Sequence, residues 1–210
     1  MEDVSSKSYI RRNLPLLFIT GMVICVLLAG FLFLPRTEED RTRLVERLGT
    51  SNQGELLKPL VAIDDLDLQN DAGELWVLKD QLVKWRLVIP LASRCDQACR
   101  DALYLTRQIH VRLDKKSSRV ERILLNLNDA LDEDTRAFLE QEHHYLKIVN
   151  GRTEQFKQLL DETNAGWSPD RAQVFVVDQN GDAMMFYTAE HDGADMLSDL
   201  RHLLKYSPEF

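Results

Sequence analysis

The chain has 210 residues and carries 34 Asp and Glu against 26 Lys and Arg, which gives a formal net charge of −8. That length allows one ordinary domain with an appendage, or two very small domains. Charged residues make up 29% of the chain and hydrophobic residues 44%, a balance that indicates a folded protein and excludes a disordered one. The acidic balance argues against a nucleic-acid partner, because such a protein needs a basic face. The chain has three cysteines, too few for a scaffold held together by disulfides.

The first element is an uncharged apolar run at residues 14–34. As a helix, a run of this length extends about 30 Å, which matches the hydrocarbon core of a bilayer. A cleaved signal peptide has a shorter apolar region, and no small-residue cleavage pattern follows Leu34. The run therefore predicts a retained transmembrane helix that acts as a single-pass anchor.

The number of basic residues before and after this run does not by itself determine the orientation of the helix in the membrane. The tight Arg11-Arg12 pair before the run favours a cytoplasmic amino terminus at residues 1–13. This orientation predicts a protein of the inner (plasma) membrane with its soluble domain exported to the periplasmic side. Residues 35–73 are then interpreted as a stalk or linker together with an entry segment, and residues 74–210 as the folded domain.

From Leu75 onwards, segments with a strand-like period alternate with segments of helical period. The predicted elements are a strand at Trp85–Leu91, a helix along the apolar stripe Ala98–Leu113, a strand at Val120–Leu127, a short helix ending at Glu142, a strand at Tyr145–Val149, a helical segment at Gln155–Asp161, two strands at Ala172–Asp178 and Ala183–Ala189, and a closing helix that includes Met196–Leu204. This order predicts an α/β fold with a mixed sheet, in which parallel crossovers come first and an antiparallel hairpin comes last.

The hairpin has the clearest turn signal in the chain. Asn180-Gly181 separates its two β-rich runs. Asn-Gly is favoured in type I′ turns, because both central residues of such a turn have positive φ. The sequence therefore predicts a type I′ turn at this position.

Two cysteines, Cys95 and Cys99, directly follow the first strong strand, at the start of the next helix. Residues four apart lie on one helical face, so the two sulfurs are expected to be close together. The start of a helix stabilises a thiolate, and Arg94 and Arg100 would add to this effect. Two such thiolates can form a disulfide or bind a soft ion such as Cu(I). The alternative is a pair of small core residues, which is less favoured because Cys95 is expected at an exposed corner.

Taken together, the anchor, the sequence WRLVIPLASRCDQAC, and the closing sequences AQVFVVDQNGDAMMFY and SDLRHLLK resemble the SCO/SenC family. Members of that family are membrane-tethered, thioredoxin-like proteins that handle copper and thiol redox during cytochrome c oxidase assembly. The resemblance covers about residues 60–206 as an order of elements. It implies a thioredoxin-like mixed sheet with flanking helices, copper as a possible cofactor, and Cys95 and Cys99 as copper ligands or as a redox dithiol. It also implies respiratory oxidase subunits or assembly factors as partners.

The chain departs from the family pattern at the metal site. Family members usually carry prolines around the cysteines, where this chain has Asp96 and Arg100. The family's third copper ligand is a histidine just before the terminal hairpin, where residues 164–171 contain none. His191 is the best candidate to replace it, because an antiparallel hairpin would end at the cysteine edge of the sheet. The alternative for His191 is a solvated loop residue.

The segment before the hairpin also contains Trp167 and the dipeptide Ser168-Pro169. The resemblance implies that Pro169 packs against the cysteine pair, often after a cis peptide bond, whereas an ordinary loop proline is the alternative. Trp167 is predicted either to shield the thiols or to fill the core.

Two functions follow from these observations. The leading hypothesis is a membrane-anchored thiol or copper protein that assists cytochrome c oxidase assembly through Cys95 and Cys99. Any enzymatic activity would be thiol–disulfide exchange, and no small-molecule enzyme is expected. The alternative is a redox-inactive thioredoxin-like scaffold that binds an assembly partner of a membrane complex.

Overall fold

The computed structural model describes residues 3–33 and 52–209, and the chain divides into two units, the first ending at Ser51 and the second beginning at Asn52. In the first unit, helix α1 (Asp3–Phe33) takes in the apolar run as far as Phe33. Among the helices of the described residues, none combines the length and apolar character needed to cross a bilayer. Residues 34–51, which include the first part of the proposed stalk, lie outside the described residues.

Within residues 52–209, the second unit is built on one six-stranded sheet in the order β1-β6-β5-β2-β3-β4. The strands are β1 (Glu55–Ala62), β2 (Trp85–Leu91), β3 (Val120–Asn126), β4 (Leu146–Asn150), β5 (Val174–Val177) and β6 (Asp182–Tyr187). The helices are α2 (Gln97–Arg112), α3 (Glu133–Glu142), α4 (Thr153–Leu160) and α5 (Gly193–Tyr206), and short 3₁₀ helices lie at Ile63–Asp65, Leu78–Asp80 and Asp114–Arg119. The prediction of an α/β fold with a mixed sheet and flanking helices is confirmed.

The strand directions follow the predicted order. Strand β2 is parallel to β3, and β3 is parallel to β4, whereas β5 runs antiparallel to β2. Strands β5 and β6 form the antiparallel hairpin. Strand β1 pairs with the outer side of β6 and was not predicted, because it lies within residues 35–73, which the sequence assigned to a stalk and an entry segment without a strand. The sequence of β1 lacks a clear strand pattern, because Leu57 is its one buried residue and Lys58-Pro59 interrupts its apolar residues.

Each face of the sheet carries its own hydrophobic core, because successive side chains of a strand point to opposite faces. In β2, Leu87 and Ile89 belong to the first core, together with apolar residues of α2 and α5. Val88 belongs to the second core, which includes residues of α4 and of the segment between β1 and β2. Every residue of β2 is buried, which explains the nearly continuous apolar run of this central strand.

The hairpin turn differs from the type I′ turn that Asn180-Gly181 predicted. Of these two residues, only Gly181 has a positive φ, at 101°. The reason is Asp178, whose carboxylate Oδ1 accepts hydrogen bonds from the backbone N–H groups of Asn180, Gly181 and Asp182 at 2.8, 2.9 and 3.0 Å. A side chain that satisfies three turn donors stabilises a wider connection, so the dipeptide predicted the hairpin correctly and its turn type wrongly.

The beginning of the second unit is held in place by hydrogen bonds to a buried carboxylate. Oδ2 of Asp199 in α5 accepts hydrogen bonds from the N–H groups of Gln53 and Gly54, at 2.8 and 2.9 Å. The hydroxyl of Tyr187, at the end of β6, donates to the same oxygen at 2.7 Å. Gly54 has no room for a side chain, because a Cβ there would lie 2.5 Å from Cζ of Tyr187. This cluster joins the strand that the sequence did not predict to the rest of the fold.

Candidate functional site

The segment that carries the cysteines begins where β2 ends. The carbonyl oxygen of Leu91 accepts a hydrogen bond from the N–H of Leu127, beyond the end of β3, at 2.8 Å. The side-chain amide of Asn128 donates to the carbonyls of Leu91 and Ser93, both at 3.2 Å. The neighbouring loop therefore holds the connection between β2 and α2 and fixes where Cys95 lies.

Cys95 and Cys99 are joined by a disulfide, with their Cα atoms 5.1 Å apart. Both residues belong to the first hydrophobic core, together with Leu103 of α2 and Leu139 of α3. Each cysteine is only 6% exposed, so the expectation that Cys95 lies at an exposed corner is wrong. The corner is covered because α3 packs its apolar residues onto the same core, a contact that the local sequence around Cys95 does not encode.

Asp96 caps the helix that follows Cys95. Its carboxylate accepts a hydrogen bond from the backbone N–H of Cys99 at 3.0 Å, which satisfies one of the unpaired donors at the start of α2. The cap also places a negative charge in the turn that holds the disulfide. Because like charges repel, this carboxylate opposes thiolate formation, whereas the helix dipole favours it. Asp is a typical N-cap residue, so its position before the apolar stripe was a usable signal that the sequence analysis missed.

The two arginines near the cysteines have different surroundings. The guanidinium of Arg100 lies 4.4 Å from the ring centroid of Phe138, and its Nε is 3.5 Å from the carbonyl oxygen of Cys95. The side chain of Arg94 is 76% exposed and forms an ion pair with Asp134 at 3.2 Å. Arg100 is therefore the positive charge held against the cysteine-bearing turn, while the charge of Arg94 is directed to the start of α3.

The loop before the hairpin touches the cysteine-bearing segment through its backbone. The carbonyl of Pro169 accepts a hydrogen bond from the hydroxyl of Ser93 at 3.4 Å. The Ser168-Pro169 bond is trans, so of the two alternatives that the sequence left open for Pro169, the bond geometry favours the ordinary loop proline. Trp167 packs edge-on against Phe156 at 4.9 Å, in the second core. It therefore fills the core on the opposite face of the sheet from the disulfide.

His191 lies just beyond β6, at the edge of the sheet where the cysteines follow β2, because β5 is antiparallel to β2. Its Nδ1 accepts a hydrogen bond from the N–H of Thr188 at 3.1 Å, and its ring stands edge-on to Tyr187 at 5.4 Å. In the part of the chain that the structure describes, no group of three or more His, Cys, Asp or Glu side chains could hold a metal ion. With Cys95 and Cys99 joined in a disulfide, the two cysteines and His191 do not form a three-ligand copper site in this structure.

Comparison with solved structures identifies proteins of the same fold. Copper-bound yeast Sco1 has a TM-score of 0.55 and 13% identity, over 76% of this chain and 97% of its own. Sco1 of Thermus thermophilus has a TM-score of 0.56 and 18% identity, over 74% and 98% of the two chains. BsSco, a member of the Sco family of cytochrome c oxidase assembly proteins with a disulfide switch, has a TM-score of 0.53 and 11% identity, over 71% and 96%. The predicted resemblance to the SCO family is confirmed at the level of the fold.

Comparison with curated protein sequences finds no match. Residues 85–207 match the family described as transmembrane-like, thioredoxin-like, C-terminal domain. This match begins with β2 and continues through α5, so it covers the cysteine-bearing turn, the hairpin and the closing helix. The chain belongs to this thioredoxin-like family.

Proposed function

We propose that the protein is a membrane-anchored, SCO-like thiol–disulfide protein that acts on partner proteins during assembly of a respiratory oxidase. The observation that carries the proposal is the disulfide between Cys95 and Cys99 in the first turn after β2, within a thioredoxin-like fold. The description of BsSco as an oxidase assembly protein with a disulfide switch supports the same chemistry. The partner would be a protein with two cysteines, and not a small substrate.

The proposed reaction is a two-step exchange. A thiolate of the partner attacks one sulfur of the Cys95–Cys99 disulfide, which forms a mixed disulfide and releases the other sulfur as a thiolate. A second partner thiolate then attacks the mixed disulfide and releases the remaining cysteine. Two electrons and two protons pass from the partner dithiol to Cys95 and Cys99, and the partner cysteines become joined. The start of α2 assists both releases, because its N–H groups stabilise a departing thiolate.

The short loop supports a chemical role over a structural one. The disulfide closes a loop of five residues, 95–99, and a loop of that length restricts the unfolded chain by only about 2 kcal/mol. A structural staple is more effective when it connects distant segments of the chain. A disulfide that contributes little to the free energy of unfolding can be reduced without loss of the fold, as a reversible redox pair requires.

Copper enters the proposal as cargo. Two thiolates suit Cu(I), which prefers soft sulfur ligands, and the copper-bound state of yeast Sco1 supports this possibility. Since His191 is not assembled with the cysteines, only reduced Cys95 and Cys99 are proposed to take the ion. Copper handling therefore requires prior reduction of the disulfide.

The anchor and location belong to the same proposal. The uncharged run at residues 14–34 supports a single-pass anchor in the inner membrane, with the folded domain on the periplasmic side. A disulfide persists in an oxidising compartment and is rare in the cytosol, which supports export of the domain.

The test uses the full-length chain in cells that assemble a cytochrome c oxidase. We expect the Cys95→Ser/Cys99→Ser variant to lose oxidase assembly and to lose the two thiols that appear for alkylation after reduction. The Cys25→Ser variant is the matched control, because Cys25 is outside the disulfide. Normal assembly with the double variant, together with lost assembly when the domain is deleted, would remove the redox proposal.

That last outcome would establish the second candidate, a redox-inactive scaffold that binds an assembly partner. One observation favours this candidate: both cysteines are 6% exposed and are packed in the first core. A buried disulfide needs a local opening of its cover before a partner thiolate can reach it. The rate of reduction by a small dithiol, compared with that of the fully unfolded chain, measures this opening.

A further inference from the structure

A groove runs beside the start of α2, the helix that carries Cys99. It consists of two adjoining pockets of about 540 and 420 Å³. The residues that line both pockets are Ala98, Ala172, Thr188 and Ala189, and we call the combined space the α2 groove. Ala98 directly precedes Cys99, so the groove passes the cysteine-bearing turn of the helix.

The edges of the α2 groove are acidic. Exposed Glu55, Asp170 and Glu190 line the larger pocket, where Arg171 is the basic lining residue, and exposed Asp101 lines the smaller one. Within the described residues, none of these four carboxylates takes part in an ion pair. Apart from Arg171, the described residues of the groove bring no basic group to these carboxylates, and their charges would attract a cationic ligand.

A buried acceptor in the same wall provides the second observation. Gln173 lines the larger pocket and is 1% exposed. Its Nε2 donates to the carbonyl of Ala165 at 2.9 Å, whereas its Oε1 has no hydrogen-bond partner. A buried acceptor without a donor destabilises a protein, so a ligand that supplies an N–H group to this oxygen would be stabilised by the contact.

We propose that the α2 groove binds a basic peptide segment of the partner protein. The segment would place an N–H donor on Oε1 of Gln173 and Lys or Arg side chains near Glu55, Asp170 and Glu190. Charge complementarity selects this occupant over an anionic membrane surface or a second copy of this acidic chain. The inference rests on the proposed exchange function, because a segment bound in the groove would bring a partner cysteine to the helix turn that carries Ala98 and Cys99.

The probe is a peptide of alternating Lys and Ser with one central Cys, and the matched peptide has Glu in place of Lys. We expect mixed-disulfide formation with the oxidised full-length protein in detergent to be about tenfold faster for the Lys peptide, from electrostatic attraction. The difference should shrink in about 1 M salt, where charges are screened beyond about 3 Å. It should also shrink in the Glu55→Gln/Asp170→Asn/Glu190→Gln variant.

The control variant removes the same number of charges elsewhere. Glu133, Glu140 and Glu154 are exposed on α3 and α4 and line neither pocket of the groove. We expect the Glu133→Gln/Glu140→Gln/Glu154→Gln variant to keep the preference for the Lys peptide. Equal rates for the two peptides, or equal losses in the two triple variants, would overturn the groove proposal.

A second measurement separates this proposal from the redox function. Binding of a cysteine-free Lys-Ser peptide to the Cys95→Ser/Cys99→Ser variant is followed by fluorescence anisotropy. We expect the peptide to bind and to be displaced by salt. Peptide binding without any exchange in the wild-type protein would support the groove proposal and overturn the redox function. Exchange without peptide binding and without a preference for the Lys peptide would support the redox function and overturn the groove proposal. Self-association through the groove, lost in the variant of Glu55, Asp170 and Glu190, would also overturn the proposal.

Discussion

The carboxylate of Asp96 and the backbone N–H of Cys99 are 3.0 Å apart, so the residue that caps α2 also sets the charge beside the disulfide. We expect Asp96→Asn to keep an acceptor for this N–H while removing the negative charge. The reduced form then becomes more stable, because its thiolate no longer faces a carboxylate. The pair should become a stronger oxidant in a glutathione redox titration, and its thiols should alkylate faster at neutral pH.

Comparison of Asp96→Asn with Asp96→Ala separates the effect of the cap from that of the charge. The Asp96→Ala variant removes both, so it should share the redox change and also lose about 1 kcal/mol of stability. A more reducing pair in either variant would contradict the role assigned to the Asp96 carboxylate.

Reduction of the Cys95–Cys99 disulfide should lower the free energy of unfolding by about 2 kcal/mol, the value for a five-residue loop. Urea titrations of the full-length protein with and without reductant measure this difference. The unfolding transition should remain cooperative in both cases. A complete loss of folding on reduction would mean that the bond is structural and would favour the scaffold function.

Substitution of Asp199 should strongly destabilise the beginning of the second unit, because its buried carboxylate accepts hydrogen bonds from Gln53, Gly54 and Tyr187. Burial and the Asp199 hydrogen bond raise the pKa of Tyr187, which therefore stays protonated as a donor. We expect Asp199→Ala to cost about 3 kcal/mol, since it leaves buried donors unpaired, and Tyr187→Phe about 1 kcal/mol. Urea denaturation measures both, and equal losses would contradict the assignment.

Gly54 provides an independent check on the same cluster. A Cβ at this position would lie 2.5 Å from the Tyr187 ring, so Gly54→Ala should force that ring to move. The expected loss is about 1–3 kcal/mol, the range for overpacking in a core. In the Gly54→Ala/Tyr187→Phe double variant the clash with ring carbons persists, so the costs of the two single changes should both appear.

The buried side chain of His143 should make the free energy of unfolding depend on pH in the acid range. Burial is the largest cause that lowers the pKa of His143 from 6.5 to about 4; the charges of Arg122 and Arg107 act in the same direction, and that of Glu142 opposes them. Between these values the unfolded chain binds the proton and the folded chain does not. The free energy of unfolding therefore falls as the pH drops from about 6.5 to about 4, by up to about 3 kcal/mol.

The His143→Phe variant should flatten this part of the stability profile, because the buried titrating group is gone. His144→Gln is the matched control, since His144 is its exposed neighbour. Denaturation at several pH values checks both variants. An unchanged acid slope in His143→Phe would assign the acid sensitivity to other groups.

Local sequence patterns predicted the elements whose buried face is visible in their own apolar periodicity. The apolar run of β2 and the stripe of α2 are examples, and together they placed Cys95 and Cys99 at the helix start. Long-range contacts were not predictable from local patterns. The burial of Cys95 depends on α3, and the hairpin turn depends on the carboxylate of Asp178. Topology alone predicted the edge of the sheet at which His191 lies, but not its hydrogen bond to Thr188.

Strand β1 ends the sheet on one side, and its Pro59 has no N–H group to offer, while the adjacent Lys58 adds a charge. On the other side, Gln69 bridges to Asn150 at the end of β4. Both margins are thereby poor templates for an incoming strand from another molecule. Copies of this domain at high concentration should therefore resist amyloid-like stacking through their sheet edges.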